Sequence, residues 1–287
     1  MERLADAERK SCGIIFNTVY KLEPEFVDHY ASSNLTGTTM NVWCVGPVQL
    51  DESIRPAANE FEQDRGREIK DWLDSKEPES VLYIGFGSEC YFTSEQLREI
   101  AVRLQSCKHC FIWVVRRGGG GGDNIRLPQE FHETVGDRGL ILTEWAPQVA
   151  ILNHTATGGF LTHCGWNSTI EAVCAGLPLI AWPLHSEQFI NERLVVEVLG
   201  IGLRIPDGAE MRSVDAEGKG LVKGELIREA VDRLMGGGGE EARTMRANAK
   251  KYQQLARSAM NEGGSSYVSL SSVIELIEEK KREERNY

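Results

Sequence analysis

The chain has no apolar run approaching the length needed to span a bilayer, and no apolar segment of the kind a secretory leader carries follows Met1–Asp6. Basic residues are few: 32 Lys and Arg stand against 43 Asp and Glu, a net charge of −11. Phosphate backbones need a basic face, so a general nucleic-acid binder is excluded. The acidic balance is spread widely and reads as solubility, which leaves any anionic ligand to be held by local donors and dipoles. Paired-cysteine logic is also missing. Seven cysteines at irregular spacing argue for free thiols in a reducing compartment, the cytoplasm. The one close pair, Cys107 and Cys110, has no second ligand pair and no helix start beside it. It reads as structural thiols, and no metal site is expected. Gly85-Phe86-Gly87 lacks the third glycine of a dinucleotide fingerprint, with Cys90 in its place, so a dinucleotide-dependent oxidoreductase is a weak reading.

What is present is ordinary globular composition, 41% apolar and 26% charged, in 287 residues. That suffices for one large or two medium domains. Ile14–Phe16 and Val42–Val45 read as short strands around a helix that follows Pro24. These few elements cannot bury their own apolar faces, so residues 1–48 read as the end of a preceding domain. Residues 49–67 are polar and aperiodic, as in a linker. From 68 to 264, short apolar runs without alternation (Val81–Ile84, Phe111–Val115, Leu140–Leu142, Gly159–Thr162, Leu179–Trp182) alternate with helical patterns. This predicts an α/β domain, a Rossmann-like doubly wound parallel sheet with strands buried on both faces. Thr93 is expected to cap a helix, with Gln96 at the return position of a capping box. Gly118–Gly122 and Pro206–Gly220 read as loops. Residues 265–287 are expected to form a last amphipathic helix packing back toward the N-terminal part, with Val268, Val273, Ile274 and Ile277 available for burial.

One stretch, Trp145 to Gln188, carries the chemistry. Its strand ends in His163-Cys164-Gly165, and a helix opens at Asn167 and Ser168. Gly176 and Pro178 close that helix. A helix N-terminus after a strand and a glycine aims unpaired N–H groups and a positive dipole end at one point, an anion site best suited to phosphate. His163 stands beside it and can donate to a phosphate oxygen. The bland reading of Asn167 and Ser168 is helix capping. Glu171 shares their face at i+4 and i+3, and a carboxylate there suits ribose hydroxyls better than phosphate. Trp145, at a strand end, is equally readable as a core residue or as a platform for a flat base. Gln148 can reach a sugar hydroxyl, although a surface role is the simpler reading for that residue alone. Glu187 beside Gln188 suits a ligand dense in hydroxyls.

In chain order these readings describe base, ribose, diphosphate and sugar. The 44 positions from Trp145 to Gln188 resemble the signature box of the plant secondary-product UDP-glycosyltransferases, an inverting family. Ile14-Ile15-Phe16-Asn17, Gly46-Pro47, Gly85-Phe86-Gly87-Ser88 and the C-terminal helices are similar to matching parts of such enzymes, so the resemblance covers nearly the whole chain. It implies the C-terminal half of a GT-B fold, in which two Rossmann-like domains face each other. By motif position it implies that Trp145 stacks on uracil and Ala146 contacts it through the backbone. Gln148 and Glu171 would hold the ribose. His163, Asn167 and Ser168, joined by Ser88, would hold the diphosphate, and Trp166, Glu187 and Gln188 the sugar. A final glutamine usually goes with glucose and a histidine with galactose, which points to UDP-glucose as co-substrate, with no other cofactor and no metal. The acceptor implied is a small lipophilic molecule such as a flavonoid, terpenoid or hormone.

The family's catalytic base is a histidine near the start of the N-terminal domain, paired with an aspartate. No residue here matches it, and His29 lies too late in that domain, so no catalytic residue is assigned. The expectation is a donor-binding portion whose first 48 residues are a remnant of the acceptor domain. Alone it would be weak or inactive, unless a complementing N-terminal chain restored it. The alternative is a non-catalytic nucleotide-sugar-binding module.

Overall fold

The computed structural model describes residues 6–7, 10–33, 39–50, 64–88, 90–115, 130–205, 221–236 and 239–285. The chain divides into two units, residues 1–55 with 252–287, and residues 56–251. In the first unit, β1 (Ile14–Phe16) pairs in parallel with β2 (Val42–Cys44), with Ile14 opposite Val42. The crossover carries the helix Pro24–Ser33, whose proline occupies the first turn, where its missing N–H costs nothing. Helix Ser265–Arg285 packs on β2, and the buried Ser266 hydroxyl donates to the carbonyl of Gly46. Of the four apolar residues expected on its buried face, Val273 is buried, whereas Val268, Ile274 and Ile277 are each about half exposed. A polar serine, satisfied by one backbone acceptor, takes the inner position instead.

The second unit holds the parallel sheet. Its strands are β3 (Val81–Gly85), β4 (Cys110–Val114), β5 (Gly139–Leu142), β6 (Thr157–Thr162), β7 (Leu179–Ala181) and β8 (Gly202–Arg204). The spatial order is β5-β4-β3-β6-β7-β8, and every pairing is parallel. β3, β6 and β7 are buried at every position, which is why they read as continuous apolar runs. Counted within the unit, this is the 3-2-1-4-5-6 order of a doubly wound fold. Its topological switch point lies between the first strand, β3, and the fourth, β6. Gly85 and Thr162 end the two strands in register, so the loops that follow them leave the sheet side by side.

The helices follow local chemistry with three departures. Thr93 caps helix Ser94–Ser106 by accepting from the Gln96 N–H, but the Gln96 side chain does not return to the cap. It is buried and brackets Val222 instead, accepting from its N–H at 2.8 Å and donating to its carbonyl at 3.0 Å. Two bonds to a buried backbone outweigh one at a helix end open to water. Helix Asp64–Asp74 begins inside the stretch read as linker. Helix Gln188–Arg193 passes into a π-helical turn, Leu194–Val198. The glycine run 118–122 and the loop 206–220 lie outside the described residues.

Candidate functional site

The loop after β6 turns sharply. Cys164 is fully buried at φ 63°, a left-handed conformation that non-glycine residues rarely adopt. Asn191 holds the turn by donating its Nδ2 to the Cys164 carbonyl at 2.9 Å, and the helix Trp166–Ala175 starts directly afterwards. Its N-cap is Gly165, and no side chain caps it. Asn167 and Ser168 therefore lie inside the first turn and not at the cap, which removes the capping reading of both. Asn167 is exposed, Trp166 is half-buried, and Ser168 is buried. The other end closes on Gly176, left-handed at φ 69°, with the Leu177 N–H returning to the Ala172 carbonyl.

His163 is buried between the two loops at the switch point. A Cβ on Gly87, after β3, would lie 2.7 Å from its Nε2, and one on Gly165 would lie 2.4 Å from it. The ring fits only because both loops carry glycine there. Burial, helped by His185 and opposed by Glu187, pushes the imidazole pKa down to about 4. The ring is neutral at physiological pH, able to donate one hydrogen bond without bringing a charge. Ser88 is exposed in the adjoining loop.

Beside this point a polar chain joins three elements. Gln148, first residue of helix Gln148–Asn153, donates Nε2 to Glu171 Oε2 at 2.7 Å and to Ser168 Oγ at 3.1 Å. Its Oε1 accepts from the Tyr83 hydroxyl at 3.3 Å. Gln148, which alone read as a surface residue, is half-buried and tied to both of its box neighbours. Trp145 is 58% exposed, which removes the core reading. Ala146 precedes the helix, its carbonyl accepting from the Gln148 N–H.

The last pair separates. Glu187 is exposed, whereas Gln188 is buried. The Gln188 Oε1 accepts from the Leu184 and His185 N–H groups at 2.9 and 3.0 Å, and its Nε2 lies 3.4 Å from His185 Nδ1. Its amide thus shapes the loop 184–187 as well as facing the region of His185 and Cys90. Two residues that matter to this geometry, Tyr83 and Asn191, were not singled out from sequence. Gly85, two positions after Tyr83 and so on the same face of the strand, was the available sign that Tyr83 needs room. All seven cysteines are free. Among the described residues no three His, Cys, Asp or Glu side chains gather as a metal site requires, and no helix is long and apolar enough to cross a membrane.

Two glycine loops, a neutral imidazole and a helix start meet at the switch point of a doubly wound domain, the place where such folds commonly take nucleotides. The chain belongs to the UDP-glucoronosyl and UDP-glucosyl transferase family, whose model matches residues 53–234. It is 45% identical over 274 residues to UDP-glucosyl transferase 73M2 of Saponaria officinalis, covering 92% of this chain and 53% of that protein. It is 41% identical to scopoletin glucosyltransferase of Nicotiana tabacum, covering 96% and 56%. The crystal structure of Glycyrrhiza uralensis UGT73P12, complexed with glycyrrhetinic acid 3-O-monoglucuronide, matches with a TM-score of 0.87 at 41% identity, over 100% of this chain and 57% of that one. Phytolacca americana UGT2, complexed with UDP-2fluoro-glucose and pterostilbene, matches with a TM-score of 0.76 at 34% identity, over 94% and 55%. These are plant family 1 enzymes of GT-B architecture, and the chain has the Rossmann-like fold of such an enzyme. It spans about half the length of the relatives it matches.

Proposed function

We propose that residues 56–251 bind UDP-glucose as donor for inverting transfer of glucose to a small-molecule hydroxyl. The observation that carries this reading is the convergence, at the switch point, of His163, the first turn of helix Trp166–Ala175 and the Gln148–Ser168–Glu171 chain. In this reading Trp145 stacks on uracil, supported by its exposure, and Ala146 meets the base through its backbone. Gln148 and Glu171 take the ribose hydroxyls. His163, Asn167, Ser168 and Ser88 donate to the diphosphate. Trp166, Glu187 and Gln188 face the sugar. An acceptor hydroxyl gives its proton to a base outside the residues assigned here, its oxygen bonds to the anomeric carbon, and the sugar–phosphate bond breaks to release UDP. The donors at the helix start stabilise the charge gathering on the departing diphosphate, with no metal required.

Acceptors of the class suggested are flavonoids, terpenoids and hormones, in keeping with a UDP-glucose flavonoid 3-O-glucosyltransferase among the relatives. Seven free thiols support a cytoplasmic setting. The chain covers 53% and 56% of the two relatives. The second reading is a nucleotide-sugar-binding module, in which the 287 residues alone bind the donor and transfer little. Calorimetry with UDP and UDP-glucose, in buffer with and without EDTA, together with a transfer assay on flavonoid and triterpenoid acceptors, tests both. Binding without turnover supports the binding-module reading, and turnover comparable to a full-length relative removes it. Failure to bind UDP removes the donor-site assignment.

A further inference from the structure

We infer that Tyr83 is a positioning residue for ribose recognition, acting through Gln148 without touching the nucleotide. This rests on the donor-site reading above. Tyr83 lies in the middle of β3 and is buried, with a relative exposure of 2%. Its ring packs against Phe160 of β6, with centroids 5.0 Å apart. From there it runs along the strand over Gly85, where an added Cβ would meet the ring and hydroxyl at 3.2–3.3 Å. Glycine two residues on therefore opens the path by which the phenol reaches the C-terminal edge of the sheet, where ligands bind. At that edge the hydroxyl donates to Gln148 Oε1.

The consequence concerns the orientation of one amide. A primary amide has an acceptor side and a donor side. Tyr83 occupies the acceptor side of Gln148, and Ser168 and Glu171 occupy the donor side. The side chain is held from opposite ends, so the Gln148–Glu171 pair is ordered before any ligand arrives. Ordering in advance reduces the entropy lost on binding. Without the phenol hydroxyl, Gln148 keeps its bonds to helix Trp166–Ala175 but loses the one that ties it to the sheet. The ring itself, packed on Phe160, keeps its place.

The test is Tyr83→Phe in the 287-residue chain, with calorimetry on UDP and on 2′,3′-dideoxy-UDP, which lacks both ribose hydroxyls. The expected result is a threefold to tenfold loss of UDP affinity, roughly one hydrogen bond, with dideoxy-UDP binding unchanged. Equal losses for both ligands would mark Tyr83 as merely structural and overturn the inference. No loss for either would overturn it too. Absence of UDP binding in the unaltered chain would instead sink the donor-site reading, and this inference with it.

Discussion

Gly87 and His163, 76 positions apart, occupy one another's space: a Cβ on the glycine would stand 2.7 Å from the imidazole Nε2. Gly87 also has φ 72°, so an L side chain there is disfavoured before any contact is counted. Left-handed backbone alone costs about 1–2 kcal/mol. Gly87→Ala is expected to lower stability by at least that amount in urea unfolding and to weaken UDP binding about tenfold or more, a change of 1.4 kcal/mol or above. Full affinity in the variant would show that the ring can move without consequence.

The buried state of His163 makes stability depend on pH in a defined direction. Its pKa falls from 6.5 to about 4 on folding, so between those values the unfolded chain binds more protons than the folded one. The contribution is complete above pH 6.5 and is lost as pH falls through 4. It amounts to roughly 3 kcal/mol. NMR of the imidazole should show no titration near 6.5, and His163→Gln should flatten the fall of unfolding free energy between pH 6.5 and 4. An ordinary imidazole titration near 6.5 would contradict the burial argument.

Trp145 allows the proposed base stacking to be tested apart from stability. Its indole is more than half exposed, so Trp145→Ala should leave the melting temperature within about a degree or two, as surface substitutions do. UDP affinity should fall by the loss of one stacked base, about 1–3 kcal/mol. Equal binding of UDP and of inorganic diphosphate before the substitution would contradict the stacking role.

Gln96 behaves in the opposite way. Its amide satisfies both backbone groups of Val222, 126 residues away, within a buried setting. Gln96→Ala leaves a buried donor and acceptor unpaired, at about 1–3 kcal/mol each. Denaturant unfolding should register a loss of about 2–4 kcal/mol, with UDP binding of the folded protein retained.

Much of this was legible along the chain. The apolar runs of β3, β4, β6 and β7 announced parallel strands because such strands are buried on both faces and need no alternation. Gly176 stopped its helix for the reason its position suggested, a left-handed cap. The box from Trp145 to Gln188 pointed to the right family. Local patterning failed where a side chain had two possible partners. Gln96 carried the spacing of a capping box and went to Val222. Asn167 and Ser168 resembled caps, yet the cap is Gly165. Three apolar residues of the last helix remain exposed where burial was expected.

The sequence by itself determined element types, turn chemistry and family membership, because periodicity, glycine and proline act over a few neighbouring residues. Only the tertiary structure decided who meets whom. Strand order sets β3 beside β6, although β4 and β5 lie between them in the chain. That adjacency brings Gly87 against His163 and Tyr83 against Gln148. Such contacts depend on the sheet closing correctly over long separations, so no window of sequence contains them.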